Sequence, residues 1–290
     1  MPASHDKCII TAALAGAATM KHQNENVPYT TEEFITEIVK CHEAGASIVH
    51  IHARDPENGL PTADLEILGK IVEGARKETD IILNLSTAIG IGATPDQRIS
   101  VVEEFKPEMA SLNTATMNFA VGDWKEHSIL FEMVFQNTFE MLVRYARAMK
   151  EAGTKPELEI YDMGGLYNVL FVRPQDVFVE PLHFQFVWGV LGGMPFSTRN
   201  FAMFMDTIPE DATFSSCGVG PAQFWGAFHA AVNGGHIRVG LEDNIWLSKG
   251  RLAEGSWEQV RKATEIIKLA DREVATPAEA REMLGLKSAK

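Results

Sequence analysis

The sequence predicts an α/β fold, a (β/α)8 TIM barrel with a short extra C-terminal helix, and three observations carry that prediction. Short apolar runs alternate with helical patterns along the chain, as in parallel strands joined by crossover helices. Eight such runs can be picked out, the number that closes a parallel barrel. Within them polar residues recur at every second position, and side chains two apart on a strand share a face. The pairs are His50 and His52, Asn84 and Ser86, Ser111 and Asn113, Glu157 and Glu159, His183 and Gln185, and Arg238 and Glu242. An open doubly wound sheet is the alternative, but its two covered faces have no place for all of these groups. A barrel can line its interior with them near the strand C-termini.

The elements follow in order. Residues 8–16, CIITAALAG, form the first strand. The helix over 29–45 opens on a capping box, Thr30 with Glu33, carries Phe34, Ile38 and Cys41 on one stripe, and stops at Gly45. SIVHIHA (47–53) is the second strand. Leu65, Leu68, Ile71, Val72 and Ala75 then fall at helical spacing. DIILNLST (80–87) is the third strand, with a helix near 95–105, and EMASLNTA (108–115) is the fourth. A long helix is expected over about 127–152, with Phe135, Phe139, Leu142, Ala146 and Met149 on one face and Gly153 at its end. ELEIYDMG (157–164), PLHFQFVWG (181–189), ATFSSCG (212–218) and HIRVGLED (236–243) complete the strands. Helices fit 199–208, 221–233 and 256–271, with the extra one near 277–284.

The 290 residues, 46% apolar, suffice for one large core, and a single barrel domain over 1–290 is expected. A net charge of −13 argues against nucleic acid or an anionic membrane as partner. Cys8, Cys41 and Cys217 are scattered and odd in number, which fits a reducing cytoplasm rather than a disulfide framework. MPASHDKCII lacks the pattern of a signal peptide, and no stretch reaches 18 apolar residues.

The chemistry concentrates in two stretches. In IVHIHARDPENG (48–59), His-x-His on a strand puts two imidazoles on one side, about 7 Å apart at the backbone. With one carboxylate they match the donor set of a catalytic zinc, which keeps a fourth position open; otherwise they are hydrogen-bonded interior residues. In GGHIRVGLEDN (234–244), Arg238 and Glu242 share parity, whereas Asp243 has the other. Asp243 can join them only where the strand has ended and turned, and it would then pair with Arg238 and leave Glu242 for a metal. The alternative is a plain interior ion pair. Glu159 is an interior or rim acid facing Arg238. Ser86, Ser111 and Asn113, at the ends of strands three and four, are placed to bind a substrate carboxylate. SSCGVGP (215–221), with Gly218, Gly220 and Pro221, is a glycine loop before a helix and suits a phosphate. His183 and Cys217 read as buried structural residues.

Taken together, ITAALAGA, HIHARD, NLSTA, PEMASLN, PELEIYDMG, PLHFQFVWGVLGGM and GGHIRVGLEDN resemble the β-keto acid cleavage enzyme family, in order, from about residue 8 to 285. The resemblance implies a zinc-dependent (β/α)8 barrel, usually a homotetramer. Its reaction condenses a β-keto acid with acetyl-CoA to give acetoacetate and an acyl-CoA. It implies that His50, His52 and Glu242 hold the zinc and that Ser86 and Ser111 bind the keto acid's carboxylate. Arg238 and Asp243 would form the pair that activates the substrate, Glu159 would be an active-site acid, and the loop with Gly218 and Gly220 would meet the cofactor-like thioester. Two positions depart from the family's lysine-fermentation members. Ala18 stands where they have a glutamate that receives the substrate's amine, and Ile89 replaces a glycine beside the carboxylate site. Both argue for a substrate without a cationic amine, although Lys21 leaves an anionic tail open. Pro221 replaces an arginine, which puts any thioester contact there in doubt. A zinc hydrolase of the amidohydrolase kind and a silent ligand-sensing barrel are the rival readings.

Overall fold

The computed structural model describes residues 6–90, 92–123 and 125–286. Eight strands close into one parallel barrel: β1 (Ile10–Ala13), β2 (Ile48–Ile51), β3 (Ile82–Leu85), β4 (Met109–Asn113), β5 (Lys155–Ile160), β6 (His183–Trp188), β7 (Thr213–Gly218) and β8 (His236–Val239), each paired with its neighbours and β8 with β1. The helices outside it are α1 (Thr31–Glu43), α2 (Leu65–Glu78), α3 (Pro95–Phe105), α4 (Phe139–Ala152), α5 (Met163–Val172), α6 (Thr198–Met205), α7 (Ala222–Val232), α8 (Ser256–Leu269) and α9 (Pro277–Leu284). The fold is the one the alternating pattern predicts.

Local chemistry sets the ends of the helices. Thr30 and Glu33 form the expected capping box at α1, and Thr94 and Thr276 begin α3 and α9 the same way, each followed by proline. The expected helix over 127–152 is half wrong. Met117–Asp123 and Ser128–Phe135 pair as an antiparallel hairpin, and α4 begins only at Phe139. SILFEMVF alternates with a period of two, and Thr138 caps the helix by accepting from the Met141 amide at 3.3 Å. The chain between 164 and 181, to which the sequence reading assigns no helix, holds α5, whose two glycines and valines hide it. HIRVGLED also stops being strand at Val239, with turns after it.

One end of the barrel is plugged. Lys7–Cys8 pairs with Glu273–Val274, and Ile9, Ile48, Ile82 and Met109 pack with Ala275, Ala280 and Leu284 of the C-terminal segment. Arg281 ties α9 down through two bonds to Glu108, at 2.6 and 2.9 Å. The main apolar cluster lies between the strands and the helix ring. What remains open is the C-terminal end, where the polar strand residues gather. Among the described residues no helix is long and apolar enough to cross a membrane.

Candidate metal centre and active site

The centre of the site is the turn after β8. Gly240 takes φ +153°, and a Cβ there would lie 1.9 Å from the Ala13 carbonyl oxygen, so the chain can leave β8 against β1 only through glycine. The turn is then held residue by residue. Gln223 accepts from the Gly240 amide (3.2 Å), Ser256 from Leu241 (3.1 Å) and the Ala13 carbonyl from Glu242 (3.2 Å). The Thr19 hydroxyl donates to the Glu242 carbonyl (3.0 Å) and the Gly220 amide to that of Asp243 (2.8 Å). This turn breaks strand alternation and brings Glu242 and Asp243, of opposite parity, to one arginine.

Arg238 grips Asp243 with two bonds, Nε to Oδ2 and Nη2 to Oδ1, both 2.9 Å, and Nη2 also donates to Glu242 Oε1 at 2.6 Å. Its Nη1 faces Glu159 at 3.6 Å, too long for a hydrogen bond. Glu242 Oε1 in turn faces the Nε2 atoms of His50 at 3.7 Å and His52 at 3.5 Å. Those separations are also too long for hydrogen bonds. They suit two ligands on one ion, because donors bonded to zinc at about 2.1 Å and a tetrahedral angle lie about 3.4 Å apart. One donor atom from each of His50, His52 and Glu242 lies within 4.8 Å of the other two. Glu242 Oε2 is buried without a hydrogen-bond partner, which leaves the carboxylate of the set unsatisfied as protein alone. The donors therefore fit a divalent cation.

Charge follows burial. Burial holds His50 and His52 neutral, well below and below the usual imidazole range, in the form that ligates metals. Burial opposes the charge on Glu242, but Arg238 and the histidines outweigh it and keep the carboxylate down at about 2. Asp243 goes the other way: burial raises it, and Arg238 only partly offsets this. Two adjacent carboxylates thus differ, one fixed as an anion and one more basic than usual. Burial raises Glu157 to about 7 and Glu159 to about 8, against the pull of Arg238.

The other expected residues fall around this centre. Ser86 and Ser111 are buried, and their hydroxyl oxygens accept from the amides of Ala88 (3.0 Å) and Thr87 (3.2 Å). Asn113 pairs in register with Glu159 and is 3% exposed, and both its amide atoms lack a partner. Ala18 is exposed in the β1–α1 loop, whereas Ile89 is buried in the main apolar cluster. The glycine loop departs from expectation. The amides of Val219, Gly220, Ala222 and Gln223 all donate to protein carbonyls, and Pro221 has none, so backbone from 219 to 223 offers nothing to an anion. His183 is satisfied by Thr213 Oγ1 at 2.8 Å, and burial raises Cys217, which makes it inert.

Sequence reasoning missed the supports. Arg54, fully buried, donates Nη2 to the Ala15 (2.7 Å) and Thr19 (2.8 Å) carbonyls and Nη1 to that of Gly59. That explains the charged turn after His52: the arginine staples the β1–α1 loop beside the metal ligands. Gly16, in that loop, packs directly on Glu242. The arginine two residues past His-x-His was a visible signal, whereas the carbonyls it grips were not.

Residues 7–286 match the model of the family described as beta-keto acid cleavage enzyme. The chain belongs to the β-keto acid cleavage enzyme family. It is 40% identical over 283 residues to a 3-keto-5-aminohexanoate cleavage enzyme of Fusobacterium nucleatum, covering 97% of this chain and 99% of that one. It is 34% identical to a 3,5-dioxohexanoate:acetyl-CoA acetone transferase of Paraburkholderia graminis, with 99% and 98% covered. Among solved structures it resembles the apo structure of ObcA, at TM-score 0.74 and 23% identity, over 90% of this chain and 66% of that one. That likeness speaks for the barrel alone. Membership of the β-keto acid cleavage enzymes sets aside the amidohydrolase alternative.

Proposed function

We propose that this protein is a zinc-dependent enzyme that condenses a β-keto acid with acetyl-CoA and releases acetoacetate and an acyl-CoA. The observation that carries the reading is the pair of neighbouring carboxylates on Arg238, one set against two neutral histidines and the other raised and free of them. Relatives that cover nearly the whole chain are named for acetyl-CoA-dependent transfers, among them a 3-oxoadipate:acetyl-CoA acetyltransferase of Cupriavidus necator, 32% identical.

His50, His52 and Glu242 would hold a zinc ion, which when bound would supply Lewis-acid polarisation at the substrate's keto group. Ser86, Ser111 and Asn113 receive the substrate carboxylate. Asp243 removes a proton from the carbon between the ketone and the carboxylate, with Arg238 holding its carboxyl in place. The carbanion attacks the acetyl thioester carbonyl, and CoA thiolate leaves. The thiolate adds to the original ketone, the carbon–carbon bond breaks, and the departing acetoacetate carbanion takes a proton. The products are acetoacetate and the thioester of the remaining acyl group. Glu159, protonated near neutral pH, faces Arg238 as a neutral acid. The substrate lacks a cationic amine, since Ala18 offers no charge to meet one. The chain acts as a homotetramer in a reducing cytoplasm, consistent with three buried free cysteines.

The test is an assay of acetyl-CoA with a panel of β-keto acids, read by the mass of the acyl-CoA formed. Asp243→Asn, with zinc retained, is expected to lose about 10²–10⁴-fold in turnover. Near-normal turnover in that variant would overturn the assignment of the base.

A further inference from the structure

Among the described residues three arginines are buried, Arg54, Arg98 and Arg238, and their charges are met differently. Arg238 holds two carboxylates, and Arg54 holds the β1–α1 loop by its carbonyls. Arg98, near the start of α3, has no part in the chemistry described so far. It is 6% exposed, and among the described residues no carboxylate pairs with it. Its bonds go to neutral oxygens: Nε to the Thr87 carbonyl (3.0 Å), Nη1 to the Gln136 carbonyl (2.9 Å) and Nη2 to Asn137 Oδ1 (2.7 Å). Its Cζ lies 5.1 Å from the centre of the Phe135 ring and 5.4 Å from that of Tyr145, which keep water away.

This is a costly place for a cation. It is buried without a counter-ion, and it stands near a helix N-terminus, where the dipole favours the opposite sign. Burial pulls Arg98 below its usual range, yet a guanidinium remains charged. The carboxylate that acts on it from a distance is Glu159, which burial raises to about 8 and so leaves neutral at pH 7.

The position of the charge is specific. Thr87, whose carbonyl Arg98 grips, donates its amide to Ser111 Oγ (3.2 Å) and its hydroxyl to the Ser111 carbonyl (2.8 Å). Ser86 precedes it. The guanidinium thus lies behind both serines, about 10 Å at most from Ser111 Oγ, the span of two hydrogen bonds and one residue of backbone. Each serine oxygen accepts from an amide, which leaves its proton for an anion.

We propose that Arg98, without touching the substrate, supplies the positive charge that holds the β-keto acid's carboxylate on Ser86 and Ser111. The inference rests on the functional reading above, in which those hydroxyls receive the carboxylate. A unit charge about 10 Å away, at an effective dielectric constant of about 20, changes the affinity for an anion roughly tenfold. The counter-ion missing from Arg98 is then the substrate itself.

The experiment measures binding of acetoacetate and of neutral acetoacetamide to the zinc-loaded protein by calorimetry. Asn137→Asp places a carboxylate on Arg98 and cancels its charge while keeping the bond. Asn137→Ala removes the bond and keeps the charge. Arg98→Met removes both, and a thermal melt checks that each variant is folded. Asn137→Asp should bind acetoacetate roughly tenfold more weakly and acetoacetamide as the wild type does. Asn137→Ala should bind both like the wild type, and Arg98→Met, where it folds, should follow Asn137→Asp. Unchanged acetoacetate affinity in Asn137→Asp, an equal loss in Asn137→Ala, or an equal loss of both probes overturns the proposal. A wild-type protein that binds acetoacetate no more tightly than acetoacetamide overturns the reading of Ser86 and Ser111, and this inference with it.

Discussion

Gly16→Ala is the most direct probe of how the β1–α1 loop holds the metal carboxylate. At φ +61° a Cβ on residue 16 would lie 2.4 Å from Glu242 Cγ and 2.9 Å from Cδ. Ordinary carbon contacts begin near 3.5 Å, so Glu242 has to retreat by about 1 Å. It cannot do so freely, because its amide is bonded to Ala13 and its carbonyl to Thr19. Two effects must be separated. The left-handed backbone costs alanine about 1 kcal/mol wherever it occurs. Displacing a ligand is specific to this position and should weaken metal binding about 10–100-fold, the range seen when ligand support is lost. Gly92 supplies the control, with φ +80° and nothing within 4 Å of its would-be Cβ. Gly92→Ala should lose the same stability in urea unfolding and keep its zinc affinity. Zinc affinity is read by competition with a chelating dye. If Gly16→Ala binds zinc as tightly as Gly92→Ala, Glu242 is not the ligand that this packing implies.

Three further outcomes follow. His183 is held at about 3, chiefly by burial and also by Lys155, so it folds neutral. Its contribution to stability is complete above about 6.5 and is lost as the pH falls towards 3; His183→Gln should flatten that part of a pH series of unfolding free energies. Arg54→Lys cannot reach the Ala15, Thr19 and Gly59 carbonyls together and should lose about 2–4 kcal/mol in urea unfolding; an unchanged midpoint would deny it the staple role. Ala18→Glu should raise kcat/KM for 3-keto-5-aminohexanoate over its neutral analogues in the mass-read assay, whereas a wild type that already prefers the amino substrate would refute the reading of Ala18.

What was legible in the sequence is what short-range chemistry decides. The box at Thr30 marked the start of α1, because a cap and its partner lie three residues apart. The inward polar positions were legible because strand parity is local, and they pointed to a barrel before any packing was known. The stretch 128–135 was misread because Phe135 and Phe139 are also four apart, and only pairing with Met117–Asp123 decides for strand. At the site, the types and positions of the donors were visible. Their supports were not, since Ala13, Ala15 and Gly220 act through carbonyls and amides that every residue of their kind carries. The glycine loop shows the limit from the other side: SSCGVGP has the composition of a phosphate cradle, and tertiary contacts have already taken its amides.

The arrangement also explains why metal ligand and base are sequence neighbours. Were β8 to continue, Glu242 would point inward and Asp243 outward, and only one carboxylate would reach Arg238. Turning the chain at Gly240 puts both on the same guanidinium, which takes Asp243 with two bonds and Glu242 with one. The unequal division matters chemically. Glu242 shares Oε1 with the imidazole side and stays an anion, as a ligand must, while Asp243 lies outside the donor set and can exchange a proton. Arg238 fixes both geometries without competing for the metal, since a guanidinium does not ligate. Replacing it by methionine would strand two buried carboxylates with no cation between them. The acid that no longer has a partner would protonate, and metal affinity and basicity would be lost together rather than one at a time.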